Sequence, residues 1–142
     1  MDKIEEMKNI ATLMRIDRKY AIKMGVPDHI YYEQEDTISR SIEQGNLVGM
    51  KMAAADIVQD LSDWEDPDMV REFLKDVLKQ TSLTAFEIAG NPRKQVSQIR
   101  KSGKIKNDLE YYLMKEYKPI NINEQEEIEK LIELFESQSG FQ

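Results

Sequence analysis

Residues 47–64 read Leu47-Val48-Gly49-Met50-Lys51-Met52-Ala53-Ala54-Ala55-Asp56-Ile57-Val58-Gln59-Asp60-Leu61-Ser62-Asp63-Trp64. Leu47, Met50, Ala54, Ile57, Leu61 and Trp64 are spaced three and four residues apart. That spacing puts them on one side of an α-helix as a continuous apolar stripe. Ala53 and Val58 widen the stripe, so the stretch predicts the central core helix. Asp56, Asp60 and Asp63 recur at four and three, forming a second, acidic stripe a quarter-turn or more around the same helix.

The pattern continues in both directions. Upstream, Ile4, Met7, Ile10 or Ala11, Met14 and Ala21 predict a helix over 2–24, stopped by Gly25 and Pro27. Residues 28–36 read either as a loop or as the start of a helix reaching about Gln44. Gly45-Asn46 breaks the chain before the central helix. Downstream, Asp66 suits an N-cap and Pro67 the first helical position, with Asp68 complementing the helix dipole. Met69, Val70, Phe73, Leu74, Val77 and Leu78 form the buried face of that helix. The short link predicts an antiparallel hairpin with the helix before it.

A short helix is expected over 82–89 and another over about 92–101, ended by Gly103. Asn107 and Glu110 have capping-box spacing ahead of a helix over 108–118, and Asn123 and Glu126 repeat it ahead of a helix over 124–136. The tail, 137–142, is expected to fray. No stretch reads as a strand. The fold expected is all-α, with six to eight helices in one domain over 1–142, packed as successive hairpins that would permit a HEAT-like stack.

The chain has 142 residues, 40% of them hydrophobic and 33% charged, and no cysteine. One domain with a real core suits that length and composition, and disulfides and thiolate metal sites are excluded. No segment reads as a signal peptide or a membrane span, so a cytoplasmic protein is expected. The net charge is −7, which favours a basic partner over general nucleic-acid affinity.

No catalytic pattern emerges, and neither an enzyme nor a cofactor is expected. The one histidine, His29, sits among Ile30, Tyr31, Tyr32 and Glu33, where a surface or packing role is the simpler reading. Asp63-Trp64-Glu65-Asp66-Pro67-Asp68 resembles a calcium loop only superficially, because the glycine is missing and proline stands at a ligand position. No metal site is expected. No serine occupies a nucleophile elbow and no glycine pattern fits a phosphate loop.

Charge is distributed unevenly. Residues 56–68 hold six acidic side chains and no basic one, and residues 124–136 hold six acidic side chains and one lysine. Each is either a solvated helix face or a docking surface for a basic protein. Residues 91–107 hold six basic side chains and no acidic one, leaving −13 for the rest of the chain. That island either meets something negative outside the protein or neutralises its own acidic faces. Residues 82–101 resemble a helix-turn-helix, with Gly90, Val96 and Ile99 at the motif's spacing; Phe86 and Asn91 depart from it. On that reading Arg93, Lys94, Gln95, Ser97, Gln98, Arg100 and Lys101 would reach DNA, making the chain a transcriptional regulator.

The stretch Ile99-Arg100-Lys101-Ser102-Gly103-Lys104-Ile105-Lys106-Asn107, then Glu110-Tyr111-Tyr112-Leu113 and Glu126 to Phe135, resembles bacterial immunity proteins of toxin–immunity pairs. The resemblance implies an intracellular, non-enzymatic inhibitor that occludes or allosterically blocks a secreted toxin, often a basic nuclease. The contact residues expected under it are Asp56, Asp60, Asp63, Glu65 and Asp66, joined by Glu33, Glu35 and Asp36.

Overall fold

The structure, a computed structural model, describes residues 1–139. Eight α-helices and two short 3-10 helices account for most of them, with no strand among the described residues. The all-α class and the number of helices are those the periodicity predicts. The chain divides after Gly90 into two compact units, residues 1–90 and 91 onward.

In the first unit, α1 (Lys3–Lys23) is the hub. Asp2 caps it, its side chain accepting from the Glu5 N–H at 2.8 Å. Met7, Ile10, Ala11, Leu13, Ile16, Tyr20 and Ala21 are buried. At about 100° per residue they sweep an arc of about 220°, wide enough to take neighbours on several sides. Around it pack α2 (Gln34–Glu43), α3 (Leu47–Asp60), α4 (Pro67–Thr81) and α5 (Ala85–Ala89). The expectation that 47–64 would be the central helix is therefore corrected. α3 buries Met50, Ala54 and Val58, a narrower face, and lies against α1 as one of its satellites.

α3 also ends earlier than its stripe suggests. It stops at Asp60, a 3-10 turn covers Leu61–Asp63, and Trp64 is extended. The apolar spacing survives because the 3-10 turn still delivers Leu61 and Trp64 inward. Leu61 is fully buried, and Trp64 stacks on Tyr20 with centroids 6.1 Å apart and meets Phe73 edge-on at 5.3 Å. α4 starts as expected, with the Asp66 side chain accepting from the Asp68 N–H and Pro67 in the first turn. It packs principally on α1 rather than forming the expected hairpin with α3. Ser82 closes it in the left-handed region at φ 63°, so the next helix begins only after Thr84, in a capping box with Glu87.

The second unit holds α6 (Pro92–Ser102), α7 (Asp108–Glu116) and α8 (Ile122–Ser139), each in contact with the others. Val96 and Ile99 of α6, Tyr111, Tyr112, Leu113 and Met114 of α7, and Ile128 and Phe135 of α8 are buried. Gly103 ends α6 at φ +81°, a conformation glycine adopts without penalty. Asn107 caps α7, while Glu110 reaches past it to the Lys106 N–H. The cap of α8 lies two residues earlier than expected. Asn121 accepts from the Glu124 N–H at 2.8 Å, and Glu124 accepts from the Ile120 N–H at 3.2 Å. Both Asn-x-x-Glu frames are present in the sequence; the one used lets Glu124 meet Arg100. The helix runs on to Ser139, past the end expected at about 136, and residues 140–142 of the expected frayed tail lie outside the described residues.

Candidate functional site

The two acidic stretches have different fates. In the second unit, α6 and α8 meet through an ion-pair clamp. Arg100 Nη1 lies 3.0 Å from Glu124 Oε2, and Nη2 lies 2.8 Å from Glu127 Oε2. Glu124 is buried, and a carboxylate in that position needs such partners. The hydrogen bond from Arg100 to Glu127 is the main influence strengthening the guanidinium's hold on its proton. Burial first, and then a hydrogen bond to Glu124, raises the Tyr117 hydroxyl above its ordinary range; Arg93 and Arg100 oppose this. The Tyr111 hydroxyl bonds Glu136 at 2.7 Å. Part of the acidic face of α8 thus belongs to the protein's own cations.

The residues expected to read DNA divide accordingly. Arg100 is held in the clamp. Val96 and Ile99 turn inward, which leaves Arg93, Lys94, Gln95, Gln98 and Lys101 exposed and Ser97 half-buried. α5 packs with α1, α3 and α4, whereas α6 packs with α7 and α8. Gly90 has extended backbone at φ 177°, and a Cβ there would meet nothing within 4 Å, so nothing local requires glycine at the motif's turn.

In the first unit, Asp56, Asp60, Asp63 and Glu65 are exposed. None of the four forms an ion pair among the described residues. Asp66 is occupied as the cap of α4, and Asp68 pairs with Arg71. Net charge differs between the two units. Residues 1–90 carry 18 acidic and 11 basic side chains, while residues 91–142 carry nine of each. The whole net charge therefore resides in the first unit. Asp60 and Asp63 also sit at the carboxyl end of α3, whose last turn has no basic residue. Carboxylates are disfavoured at that negative end of the helix dipole, so helix stability does not account for them.

Of the second expected group, Glu33 and Asp36 are exposed and unpaired by any cation among the described residues. Glu35 is not free. Arg15 Nε meets it at 3.0 Å and Arg18 at 3.4 Å, and the hydrogen bond from Arg15 is the main reason its carboxyl lies below the usual range. Glu35 thus ties α2 to α1.

A further carboxylate belongs with this group. Asp17, half-buried on α1, is pushed up to about 6, first by burial and then by the charge of Asp60. Asp17 in turn adds to burial in raising the Tyr31 hydroxyl. Asp60 and Tyr31 are thus each within electrostatic reach of Asp17. The sequence does carry a signal for Asp17. It lies near the middle of the apolar arc of α1, at the position where the stripe between Met14 and Ala21 has a gap.

Among the described residues no group of three or more His, Cys, Asp or Glu side chains is arranged to hold a metal ion. None of the described helices is long and apolar enough to cross a membrane. His29 is exposed and lies edge-on to Tyr32. No protein-family model, no curated protein and no solved structure matches the chain.

Proposed function

We propose that this chain is a non-enzymatic inhibitor that binds a basic protein through the carboxylates of α3 and the turn after it, in the manner of an immunity protein neutralising a basic toxin such as a nuclease. The observation that carries the reading is the contrast between the two acidic stretches. On α8, Arg100 holds Glu124, which is buried, and Glu127, whereas Asp56, Asp60, Asp63 and Glu65 form no ion pair among the described residues. Unpaired like charges on one surface repel one another. They are useful where they steer an oppositely charged partner and speed its encounter. Asp17, half-buried and repelled by Asp60, and the disfavoured carboxylates at the end of α3 are local costs of the kind that accompany a functional surface.

The first test is the genetic setting. The reading expects the coding sequence to lie directly after that of a large secreted protein with a variable C-terminal domain. The second is co-expression with that domain in a sensitive host. Wild-type protein should restore growth, and reversal of Asp56, Asp60 and Asp63 to Lys should abolish protection. Intact protection and an intact complex after those reversals would place the contact elsewhere.

The exposed cations of α6 support a second reading, a DNA-binding regulator. Arg93, Lys94, Gln98 and Lys101 remain available to phosphates and base edges, without Arg100. It predicts salt-sensitive retardation of DNA that is lost when Arg93, Lys94 and Lys101 become Ala. Absence of any retardation at low salt removes it.

A further inference from the structure

α3 turns an unusual face to solvent. Val48 is 73% exposed and Met52 65% exposed, although both are apolar and four residues apart. At about 100° per residue, Val48, Met52, Ala55, Asp56 and Gln59 fall within an outward arc of about 100°, opposite the buried Met50, Ala54 and Val58. Asp60 lies just beyond the edge of that arc, and Asp63 follows in the 3-10 turn. The outer face is therefore segregated along its length. Its amino-terminal half is apolar, its carboxyl-terminal half is acidic, and Ala55 keeps the middle flat. Lys51 is the only cation on α3 and lies on the flank.

From this segregation, and resting on the partner-binding reading above, we infer that the outer face of α3 receives a basic amphipathic helix of the partner protein. The partner's apolar side chains pack on Val48 and Met52, and its Lys or Arg side chains face Asp56, Asp60 and Asp63. Charge complementarity selects this occupant, because the acidic half has no pairing cation among the described residues and would repel a second acidic surface, including another copy of the same face. The small Ala55 allows close approach of a helix axis. The stretch from Val48 to Asp60 spans about 18 Å, so a helix of about 14 residues would cover it. Carboxylates alone would bring a basic partner in; the apolar half fixes register and slows its departure.

The inference is tested with two synthetic helical peptides of about 14 residues and identical composition. One carries Leu at one end and Arg at the other end of a single face; in the other, Leu and Arg alternate along that face. Wild-type protein should bind the segregated peptide about fivefold or more tightly than the alternating one. Val48→Ser with Met52→Ser, both at exposed positions, should remove that preference and leave the salt dependence unchanged. Reversal of Asp56, Asp60 and Asp63 to Lys should weaken both peptides and flatten the salt dependence. Equal binding of the two peptides by wild-type protein, or a preference that survives the serine variant, overturns the inference while the acidic-surface reading stands. If neither peptide binds, or if charge reversal changes nothing, the acidic-surface reading falls with it.

Discussion

Asp17→Asn, which removes a charge and nearly conserves shape, should stabilise the protein at neutral pH. Burial on α1, with Asp60 adding its repulsion, raises the carboxyl from 3.8 to about 6. In the unfolded chain the group ionises near its ordinary value. Above about pH 6 both states are ionised, and the fold carries the full cost of the poorly solvated charge. Between about 6 and 4 the native state keeps a proton that the unfolded chain has lost, so this group's contribution to stability rises as the pH falls. At about 1.4 kcal/mol per tenfold, the displacement corresponds to about 3 kcal/mol. Asp17 is partly open to water, and screening brings the expected gain to about 1–2 kcal/mol. Urea unfolding of wild type and variant at about pH 7.5 and pH 4.5 measures it, with unchanged slopes expected. The variant's advantage should shrink to about a third at the lower pH. A variant less stable than wild type at neutral pH, or an advantage equal at both pH values, refutes the reasoning.

Other substitutions probe other parts of the account. Tyr20→Phe removes the 2.5 Å hydrogen bond to Asp76 but keeps the ring against Trp64 and Phe73. Because Asp76 retains Lys19 at 3.7 Å and some solvent, the expected loss is about 1–2 kcal/mol by chemical denaturation. Ser82→Gly relieves the one left-handed non-glycine residue among those described and should add about 0.5 kcal/mol to stability, since Gly offsets part of the relief by its freedom in the unfolded chain. Arg100→Leu leaves buried Glu124 without its cation. Amide exchange in α6 and α8 should accelerate about tenfold or more, while α1 keeps its protection.

Helix positions were legible because their signals are local. Asp66-Pro67 and Asn107 act as their residue types predict. The stripe of α4 identifies Val70, Phe73, Leu74 and Val77, but Leu78, expected on that face, is exposed; the stripe of α1 identifies Met7, Ile10, Ala11 and Ala21 but includes the exposed Ile4 and misses Leu13, Ile16 and Tyr20, which widen the buried arc. What was not legible depends on tertiary competition. Asn121 and Asn123 each offer a cap with a glutamate three residues on, and only the meeting of Glu124 with Arg100 decides between them. α3 has the cleaner stripe, but α1 has the broader apolar arc, and breadth rather than regularity makes a hub. The candidate surface was legible as a run of carboxylates. Which carboxylates are already engaged was not, because ion pairing between α6 and α8, and between α1 and α2, spans about twenty residues or more of sequence. That pairing separates Glu35, Glu124 and Glu127 from Asp56, Asp60 and Asp63, and it answers part of the question posed by the basic island: Arg100 pairs with two carboxylates of the protein's own acidic helix.

The central claim is that the carboxylates of α3 and its following turn, rather than those of α8, receive a basic partner. The most direct measurement compares two triple reversals for binding of the proposed basic partner. One converts Asp56, Asp60 and Asp63 to Lys; the other converts the exposed Glu126, Glu129 and Glu133 of α8 to Lys. Titration calorimetry should show the α3 variant losing affinity about a hundredfold or more, and the α8 variant binding within about threefold of wild type. Equal losses in the two variants, or a loss confined to the α8 variant, would contradict the claim.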